Sequence, residues 1–198
     1  MADSIITKKA IADAVKELTR KKPFDKISVG EITDMCGLNR QTFYYHFQDK
    51  YELLSWIYYQ EAFLPIMDGI SFENWDDRIY QLFDLMKREK YFYVNTIKYA
   101  SNYFQEYLMK ISETILDEAI DAIDGIDEVG AELGMNADDR ALVVRFYAYG
   151  VCGTVVQWAT TGMKMEPREL ANHMKQLAIS SERAAQHNLF SEAVEKKR

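Results

Sequence analysis

The feature that most constrains the fold is a pair of short helical segments separated by one glycine. Ser28 and Glu31 have the spacing of a capping box, which predicts that a helix begins at this point. Gly37 suits the left-handed conformation that ends many helices. A second short helix follows over 39–47. Two short helices joined by a glycine turn, with the second helix exposed, form a helix-turn-helix arrangement.

The second helix has two chemically different faces. At about 100° per residue, Phe47 lies close to Phe43 around the helix axis, so both rings can anchor the helix to a small core. His46 and Asn39 fall on the same side as the two rings. The residues of the opposite side carry hydrogen-bonding groups: Gln41, Tyr44, Tyr45 and Gln48. We therefore expect an exposed surface of amides and tyrosine hydroxyls.

This surface has the chemistry of a contact in the DNA major groove. Arg40 at the helix start can pair with guanine and Gln41 with adenine, and each bidentate contact contributes about 1–3 kcal/mol of discrimination. Tyrosine hydroxyls and Thr42 can bond phosphate oxygens, and Lys50 begins a helix whose N-terminal amides favour an anion. On the helix pattern alone, an ordinary polar surface with incidental tyrosines is the alternative.

Helices are also predicted before and after this pair. A first helix, capped by Ser4 or Thr7, has one apolar face. That face consists of Ile11, Ala14, Val15 and Leu18. Another helix begins at Asp49, and we expect Pro65 and Gly69 to end it.

The second part of the chain has the same helical character, so the predicted fold class is all-α. Helices are expected over 74–90, 91–124 and 138–162, and a last one begins at Pro167. Residues 124–136 read as an acidic connection punctuated by glycines, and 191–198 as a frayed end. No hairpin signal, such as Asn-Gly between alternating strands, occurs in the sequence.

The charge distribution confines any contact with DNA to the N-terminal quarter. The net charge is −7. Residues 1–50 carry nine Lys and Arg against seven Asp and Glu, whereas residues 51–198 carry fifteen against twenty-four. A phosphate backbone is repelled by the second part and tolerated by the first.

Several other classes of protein lack the residues that they need. Cys36 and Cys152 are too few and too far apart for a disulfide framework or a zinc site. The chain shows no nucleophile with a base and no glycine-rich phosphate loop, so we expect neither an enzyme nor a bound metal or cofactor. The first residues have no signal-peptide pattern, and no apolar run is long enough to span a membrane, which predicts a cytoplasmic protein.

Residues 32–54, ITDMCGLNRQTFYYHFQDKYELL, resemble the DNA-binding signature of the TetR family of bacterial transcription regulators. The matching positions are Gly37, Leu38, Thr42, Phe43, Tyr44, His46, Phe47, Lys50, Leu53 and Leu54. The resemblance implies a homodimer that binds an inverted repeat in double-stranded operator DNA. It also implies a helix-turn-helix DNA-binding domain over 1–54 and a helical regulatory and dimerisation domain over 55–198.

The resemblance also implies roles for individual residues. Thr42, Tyr44 and Lys50 match family positions that contact phosphates. The positions that vary in the family and usually choose the operator are Arg40, Gln41 and Tyr45. Ser28 and Val29 begin the supporting helix, where family members often touch the DNA backbone.

Two further residues of this stretch have more than one reading. His46 matches a family position, but its inward angle favours a structural hydrogen bond over reading a base. Asn39 departs from the family pattern, and it can cap the helix as well as reach DNA. We favour the cap.

Residues 146–177 look like the C-terminal segment of a TetR branch that includes regulators of dihydroxyacetone-kinase operons. Small residues let another helix approach closely, so we expect two helices here to pair with their copies in a dimer. The residues predicted at that interface are Gly150, Gly153, Trp158, Leu170, Met174 and Leu177. Close packing of the glycines within one subunit is the alternative.

Aromatic residues of the second domain are candidates for the site that receives a signal. The residues predicted to line a ligand or partner pocket are Tyr93, Tyr99, Tyr103, Tyr107 and Tyr147. At helical spacing, such tyrosines also occur in ordinary cores. The branch resemblance implies a second route, in which a kinase-like co-regulator protein binds the metabolite. It favours activation, and repression released by a small apolar or aromatic ligand is the alternative.

Overall fold

The computed structural model describes residues 2–71, 73–124 and 136–180. Over these ranges the chain is helical and contains no β-strand, which confirms the all-α prediction. The first elements in chain order are α1 (Ala2–Thr19), a 3₁₀ turn (Phe24–Lys26), α2 (Val29–Cys36), α3 (Arg40–His46) and α4 (Lys50–Ile57).

The second part of the chain contains the longer helices. They follow a π-helical segment (Tyr58–Phe63), and in chain order they are α5 (Leu64–Met67), α6 (Trp75–Arg88), α7 (Lys90–Asp124), α8 (Ala137–Thr160) and α9 (167–180). The predicted helix at Pro167 is therefore present. Most of the acidic connection that we predicted over 124–136, and the predicted frayed end, lie outside the described residues.

Helix α1 buries the apolar face that its periodicity predicts. Its four apolar residues contribute to the core: Ile11, Ala14, Val15 and Leu18. The predicted start was wrong, because the helix already begins at Ala2 and so includes Ser4 and Thr7. Serine and threonine cost little inside a helix, so their presence does not force the helix to begin there.

Pro65 does not end the helical path that begins at Lys50, which corrects the prediction. Proline lacks an N–H group and its ring clashes with the carbonyl four residues earlier in an α-helix. The π-helical segment widens the turn just before it, and the N–H of Leu64 donates to the carbonyl of Tyr59, five residues back. The path then continues to Met67, and Gly69 follows in the left-handed conformation.

The N-terminal helices are attached to α7 through polar side chains. The Asn95 side chain accepts a hydrogen bond from the backbone N–H of Phe24 and donates to the carbonyls of Thr19 and Lys22, each at 2.8 Å. Lys16 of α1 forms ion pairs with Glu61 and Glu89. These contacts hold the helix-turn-helix region against the first turns of α7.

Helix α9 and the loop before it are attached to α6 through three cations. Arg168 pairs with Asp77 at 2.9 Å and Lys175 with Asp76 at 2.6 Å. Lys87 donates to the carbonyl of Met163 at 2.7 Å. Helix α7, which contacts α8 along much of its length, has a kink at Ala100 (φ −153°, ψ 45°), so its N-terminal third points in another direction from the remainder.

Candidate DNA-binding surface

Helices α2 and α3 are placed by the local signals that the sequence contains. The Ser28 and Glu31 side chains form the predicted capping box, and Gly37 adopts the left-handed conformation with φ 67°. The backbone N–H of Leu38 closes the end of α2 by donating to the carbonyl of Thr33 at 2.9 Å. Helix α3 begins two residues later, as the helix-turn-helix prediction requires.

Helix α3 has the two faces that its angular pattern predicts. Phe43 and Phe47 are buried with ring centroids 5.8 Å apart, and Trp56 of α4 lies 5.9 Å from Phe47. On the other face, 56% of Tyr44 and 84% of Tyr45 is exposed, and Gln41 and Gln48 are exposed beside them. Each of these two tyrosines contacts one neighbouring ring of α3, Phe43 or His46, but most of its surface stays open to a partner.

Some predicted contact residues already have hydrogen-bond partners within the chain. The Asn39 side-chain oxygen accepts from the backbone N–H of Thr42 at 2.8 Å and from its hydroxyl at 3.0 Å. Asn39 is thus the N-cap that we favoured. The Ser28 hydroxyl donates to Glu31 at 2.8 Å. Because each hydroxyl has a single hydrogen, a phosphate contact by Ser28 or Thr42 as donor requires that hydrogen to turn away from its present acceptor.

Lys50 has a larger set of internal partners. Its ammonium donates to the carbonyls of Phe24, Asp25 and Ile27 at 2.9, 2.8 and 2.8 Å. An ammonium has three N–H donors, so all three are used. Burial lowers the pKa of this ammonium from its ordinary value. Lys50 therefore ties the start of α4 to the 3₁₀ turn, and a phosphate contact by this residue would replace one of these bonds.

A second cation supports the start of α2. Lys22 forms an ion pair with Glu31 of the capping box. The hydrogen bond from Lys22, together with those from Ser28, lowers the pKa of Glu31 to about 2. The carboxylate therefore stays ionised through the physiological range and keeps the capping box closed.

The remaining predicted contact residues differ in how available they are. Arg40, at the first position of α3, is exposed and makes no ion pair with any described residue. Val29 is half-buried at the start of α2. His46 is half-buried with its ring 5.0 Å from that of Tyr45, and its side chain makes no hydrogen bond to another described residue, so the structural hydrogen bond that we predicted is absent from this part of the chain.

The tyrosines predicted to line a pocket do not come together. Tyr93 is fully buried and stacks on Tyr58, Tyr103 stacks on Tyr51, and Tyr107 stacks on Phe63. Tyr99 lies at the surface. Of the five, Tyr147 alone lines the large groove found among the described residues. A helical period places tyrosines on a face, but it does not say which neighbouring helix covers that face.

The large groove lies between α6, α7, α8 and α9 and has a volume of about 810 Å³. Its lining is almost entirely apolar and includes Trp75, Ile111, Ile115, Leu116, Phe146 and Tyr147. The acidic residues in this part of α7 indicate a solvated face, and sequence reasoning did not find the groove beside it. The signal that could have found it is the i, i+4 spacing of Ile111 and Ile115, which places a second, apolar face on the same helix.

The residues predicted at a dimer interface divide into two groups. Trp158, Leu170 and Met174 are buried within the chain, and Trp158 lies 5.4 Å from Phe83 and donates to the Met165 carbonyl. Their burial within one chain contradicts the prediction that these three lie at a dimer interface. Gly150, Gly153 and Leu177 are exposed.

The two glycines have no neighbour that explains them within the described chain. A Cβ built on Gly150 or Gly153 meets no atom of a described residue within 4 Å. Close packing against the described part of the subunit therefore does not account for them. The large side chains on the same face of α8 are Leu142, Phe146 and Tyr149, which are 67%, 72% and 64% exposed.

The helix-turn-helix of α2 and α3, the exposed polar face of α3 and the larger helical region that follows define a helical DNA-binding regulator. Residues 11–56 match the family described as "Bacterial regulatory proteins, tetR family", and residues 73–180 match a "Transcriptional regulator C-terminal region". The chain belongs to the TetR family of transcriptional regulators, whose members bind DNA and act as dimers.

Two similar proteins carry a more specific description. The "HTH-type dhaKLM operon transcriptional activator DhaS" of Lactococcus lactis subsp. lactis (strain IL1403) is 29% identical over 166 residues, which cover 84% of this chain and 86% of the relative. A solved structure titled "Dihydroxyacetone kinase operon activator DhaS" aligns with a TM-score of 0.66 at 25% identity. That alignment covers 89% of this chain and 96% of the other.

These comparisons place the chain among transcriptional regulators. The match to the C-terminal region is consistent with the branch resemblance seen in residues 146–177. In the part of the chain that the structure describes, no helix combines the length and the apolar character that crossing a membrane requires.

Proposed function

We propose that this regulator binds an inverted-repeat operator as a homodimer, with residues 1–54 as the DNA-binding domain and 55–198 as the regulatory and dimerisation domain. The observation that carries the proposal is the exposed polar face of α3. Tyr45 is 84% exposed, and Arg40 has no ion pair with a described residue, although both lie on a helix anchored by buried phenylalanines. Such groups have their hydrogen-bonding capacity available for base edges.

Within this proposal, the polar residues divide by task. Arg40, Gln41 and Tyr45 read base edges. Tyr44 contacts phosphates, as do Thr42 and Lys50 once each has given up an internal hydrogen bond. Ser28, Val29, Asn39 and His46 hold α2 and α3 at the DNA and approach its backbone.

The dimer is proposed to form through the exposed face of α8 together with Leu177 of α9. Leu142, Phe146 and Tyr149 present a contiguous apolar surface, and Gly150 and Gly153 let a second helix approach closely. Exposed patches of this kind commonly mark protein interfaces. Two subunits would present their α3 helices to successive major grooves, about 34–36 Å apart.

We also propose that the regulator activates a dihydroxyacetone-kinase operon or a related metabolic operon through an effector or a kinase-like co-regulator protein. The support is the activator function of the relative in Lactococcus lactis. The second candidate is a repressor released by a small apolar ligand. The observation that favours it is the apolar groove of about 810 Å³, a volume within the range of ligand sites. The groove and the proposed dimer face share Leu142, Phe146, Tyr149, Gly150 and Leu177, so in this candidate the partner subunit would close the groove over the ligand.

Selection of operators from a random duplex library tests the DNA-binding proposal. We expect the wild-type protein to enrich an inverted repeat, and Arg40→Ala and Gln41→Ala to lose preference at individual base positions. Gln176→Ala is the matched control for Gln41→Ala, because Gln176 is an exposed glutamine of α9, outside the helix-turn-helix region. Equal affinity of the wild-type protein for every duplex would contradict the proposal.

Gene deletion with a reporter on the neighbouring operon separates the two candidates. Activation predicts lower reporter expression in the deletion strain, whereas repression predicts higher expression. Adding small apolar molecules to the purified protein–operator complex then tests the groove, because release of DNA without a second protein supports direct ligand binding.

A further inference from the structure

Gly30 occupies a position in α2 where glycine has no backbone reason to be. It is buried within the helix, and it is not among the glycines with positive φ, so an alanine fits its backbone conformation. Glycine inside a helix is destabilising relative to alanine because it loses more conformational freedom on folding. The reason for a glycine is therefore sought in what occupies the space that a Cβ atom would fill.

That space is occupied by the guanidinium group of Arg40. A Cβ atom built on Gly30 would lie 2.5 Å from a terminal nitrogen of Arg40, 3.2 Å from its Cζ and 3.3 Å from its Nε. Arg40 thus extends from the start of α3 across α2, with its guanidinium against the Cα atom of Gly30. Any larger residue at position 30 displaces the guanidinium, while the rest of the arginine side chain adjusts easily.

We propose that Gly30 is a specificity-determining residue, which sets the position of the Arg40 guanidinium and thereby the base that it selects. This inference rests on the proposed role of Arg40 in reading base edges. A guanidinium discriminates guanine through two parallel hydrogen bonds, so its placement decides which base edge it meets. Gly30 itself makes no contact with a base in this proposal.

The test is a set of three full-length variants: Gly30→Ala, Arg40→Ala and the double variant. Each is bound to a library in which every base of the selected operator is randomised in turn. Arg40→Ala identifies the positions that Arg40 reads, where a bidentate contact gives the wild-type protein a preference of roughly 5- to 150-fold. We expect Gly30→Ala to change the preference at these same positions by about fivefold or more, and to leave the others unchanged.

The double variant is the matched control. If Gly30 acts through Arg40, the double variant has the same base preferences as Arg40→Ala alone. Thermal unfolding of Gly30→Ala is expected at the wild-type temperature or above it, because alanine favours the helix and the displaced atoms are the end of a flexible side chain.

Four results would overturn the inference. The first is that Gly30→Ala retains every wild-type base preference. The second is that Gly30→Ala changes the base preferences of the Arg40→Ala variant as much as it changes those of the wild-type protein. The third is that Gly30→Ala unfolds at a lower temperature than the wild type. The inference also fails if Arg40→Ala changes no single position. A wild-type protein that binds all duplexes alike is a separate result, because it contradicts the proposed function itself.

Discussion

The side chains of the helix-turn-helix region and those of the regulatory region find their contacts in different ways. Around α2 and α3, the polar groups that shape the backbone bond to neighbours close in sequence, as in the capping box of Ser28 and the N-cap of Asn39. Around α8, the packing is long-range and incomplete, with Phe146 72% exposed and Gly150 facing no described atom. Among the described residues, the first region therefore satisfies its own capping groups, whereas the apolar face of α8 stays uncovered.

The two regions also differ in charge, and this difference assigns them different partners. The excess of basic over acidic residues within 1–50 contrasts with the strong acidic excess of 51–198. A phosphate backbone repels the acidic second region. This repulsion favours the orientation in which the helix-turn-helix regions face the DNA and the second region faces away from it. The apolar face of α8 within this region suits a protein partner, which we propose is a second copy of this chain.

The largest expected effect tests whether the N-terminal region depends on its buried rings. Phe43→Ala removes a side chain with no exposed surface, and we expect the free energy of unfolding to fall by about 3–5 kcal/mol. Urea denaturation measures the change. Tyr45→Ala, on the exposed face of the same helix, is the control and should change stability by less than about 0.5 kcal/mol. Similar losses for both variants would contradict the two-faced helix.

The next effect tests whether α8 is covered by a second chain. Phe146→Glu places a charge in the exposed apolar face, and we expect the dimer dissociation constant to rise by about 30-fold or more. Analytical ultracentrifugation measures it. Tyr91→Glu is the control, since Tyr91 is 63% exposed at the start of α7, outside the α8 face. A dimer of unchanged strength in Phe146→Glu would show that α8 is not its interface.

A smaller effect separates the two tasks of Lys50. Lys50→Ala leaves three backbone carbonyls without this donor, and we expect stability to fall by about 1–3 kcal/mol. If Lys50 also binds a phosphate, the slope of log affinity against log salt concentration becomes shallower by about 0.9 for each phosphate that the variant no longer neutralises. Operator titrations at several salt concentrations measure the slope. A destabilised variant with the wild-type slope would leave Lys50 with a structural role alone.

The smallest effect concerns the capping box at acidic pH. Since the pKa of Glu31 is lowered to about 2, its contribution to stability is present above its ordinary value of 4.5 and is lost as the pH falls towards 2. Lys22→Met is expected to raise the pKa of Glu31, which an NMR titration of its carboxyl group measures. Lys21→Met removes an exposed neighbouring cation and is the control. An equal shift in both variants would rule out a specific pair.

Several parts of the fold and site follow from short stretches of sequence. The capping box, the left-handed Gly37, the cap by Asn39 and the burial of Phe43 and Phe47 were all predicted and are confirmed. The caps depend on residues within one helical turn of one another, so their geometry is nearly independent of the rest of the chain. The side of α3 that carries Phe43 and Phe47 follows from the helical period, although other helices complete their burial.

Other parts depend on which elements meet. Pro65 was predicted to end its helix, but the helical path continues beyond it through a π-helical segment. No local sequence pattern predicts that segment. Trp158 and Met174 were predicted at a dimer interface, but both are buried within the chain, where Trp158 packs against Phe83 of α6. Lys50 was predicted to contact a phosphate. In the structure it donates to backbone carbonyls that lie more than twenty residues earlier in the chain, which no local pattern predicts.

The amino-acid sequence alone determined that this protein is all-helical, that it begins with a helix-turn-helix, and which face of α3 is polar, because caps and periodicity act over a few residues. Only the tertiary structure decided which charged groups are already paired, which apolar faces remain open among the described residues, and which group lies against Gly30. Those outcomes depend on contacts between distant or differently oriented elements, and such contacts exist only after the helices have packed.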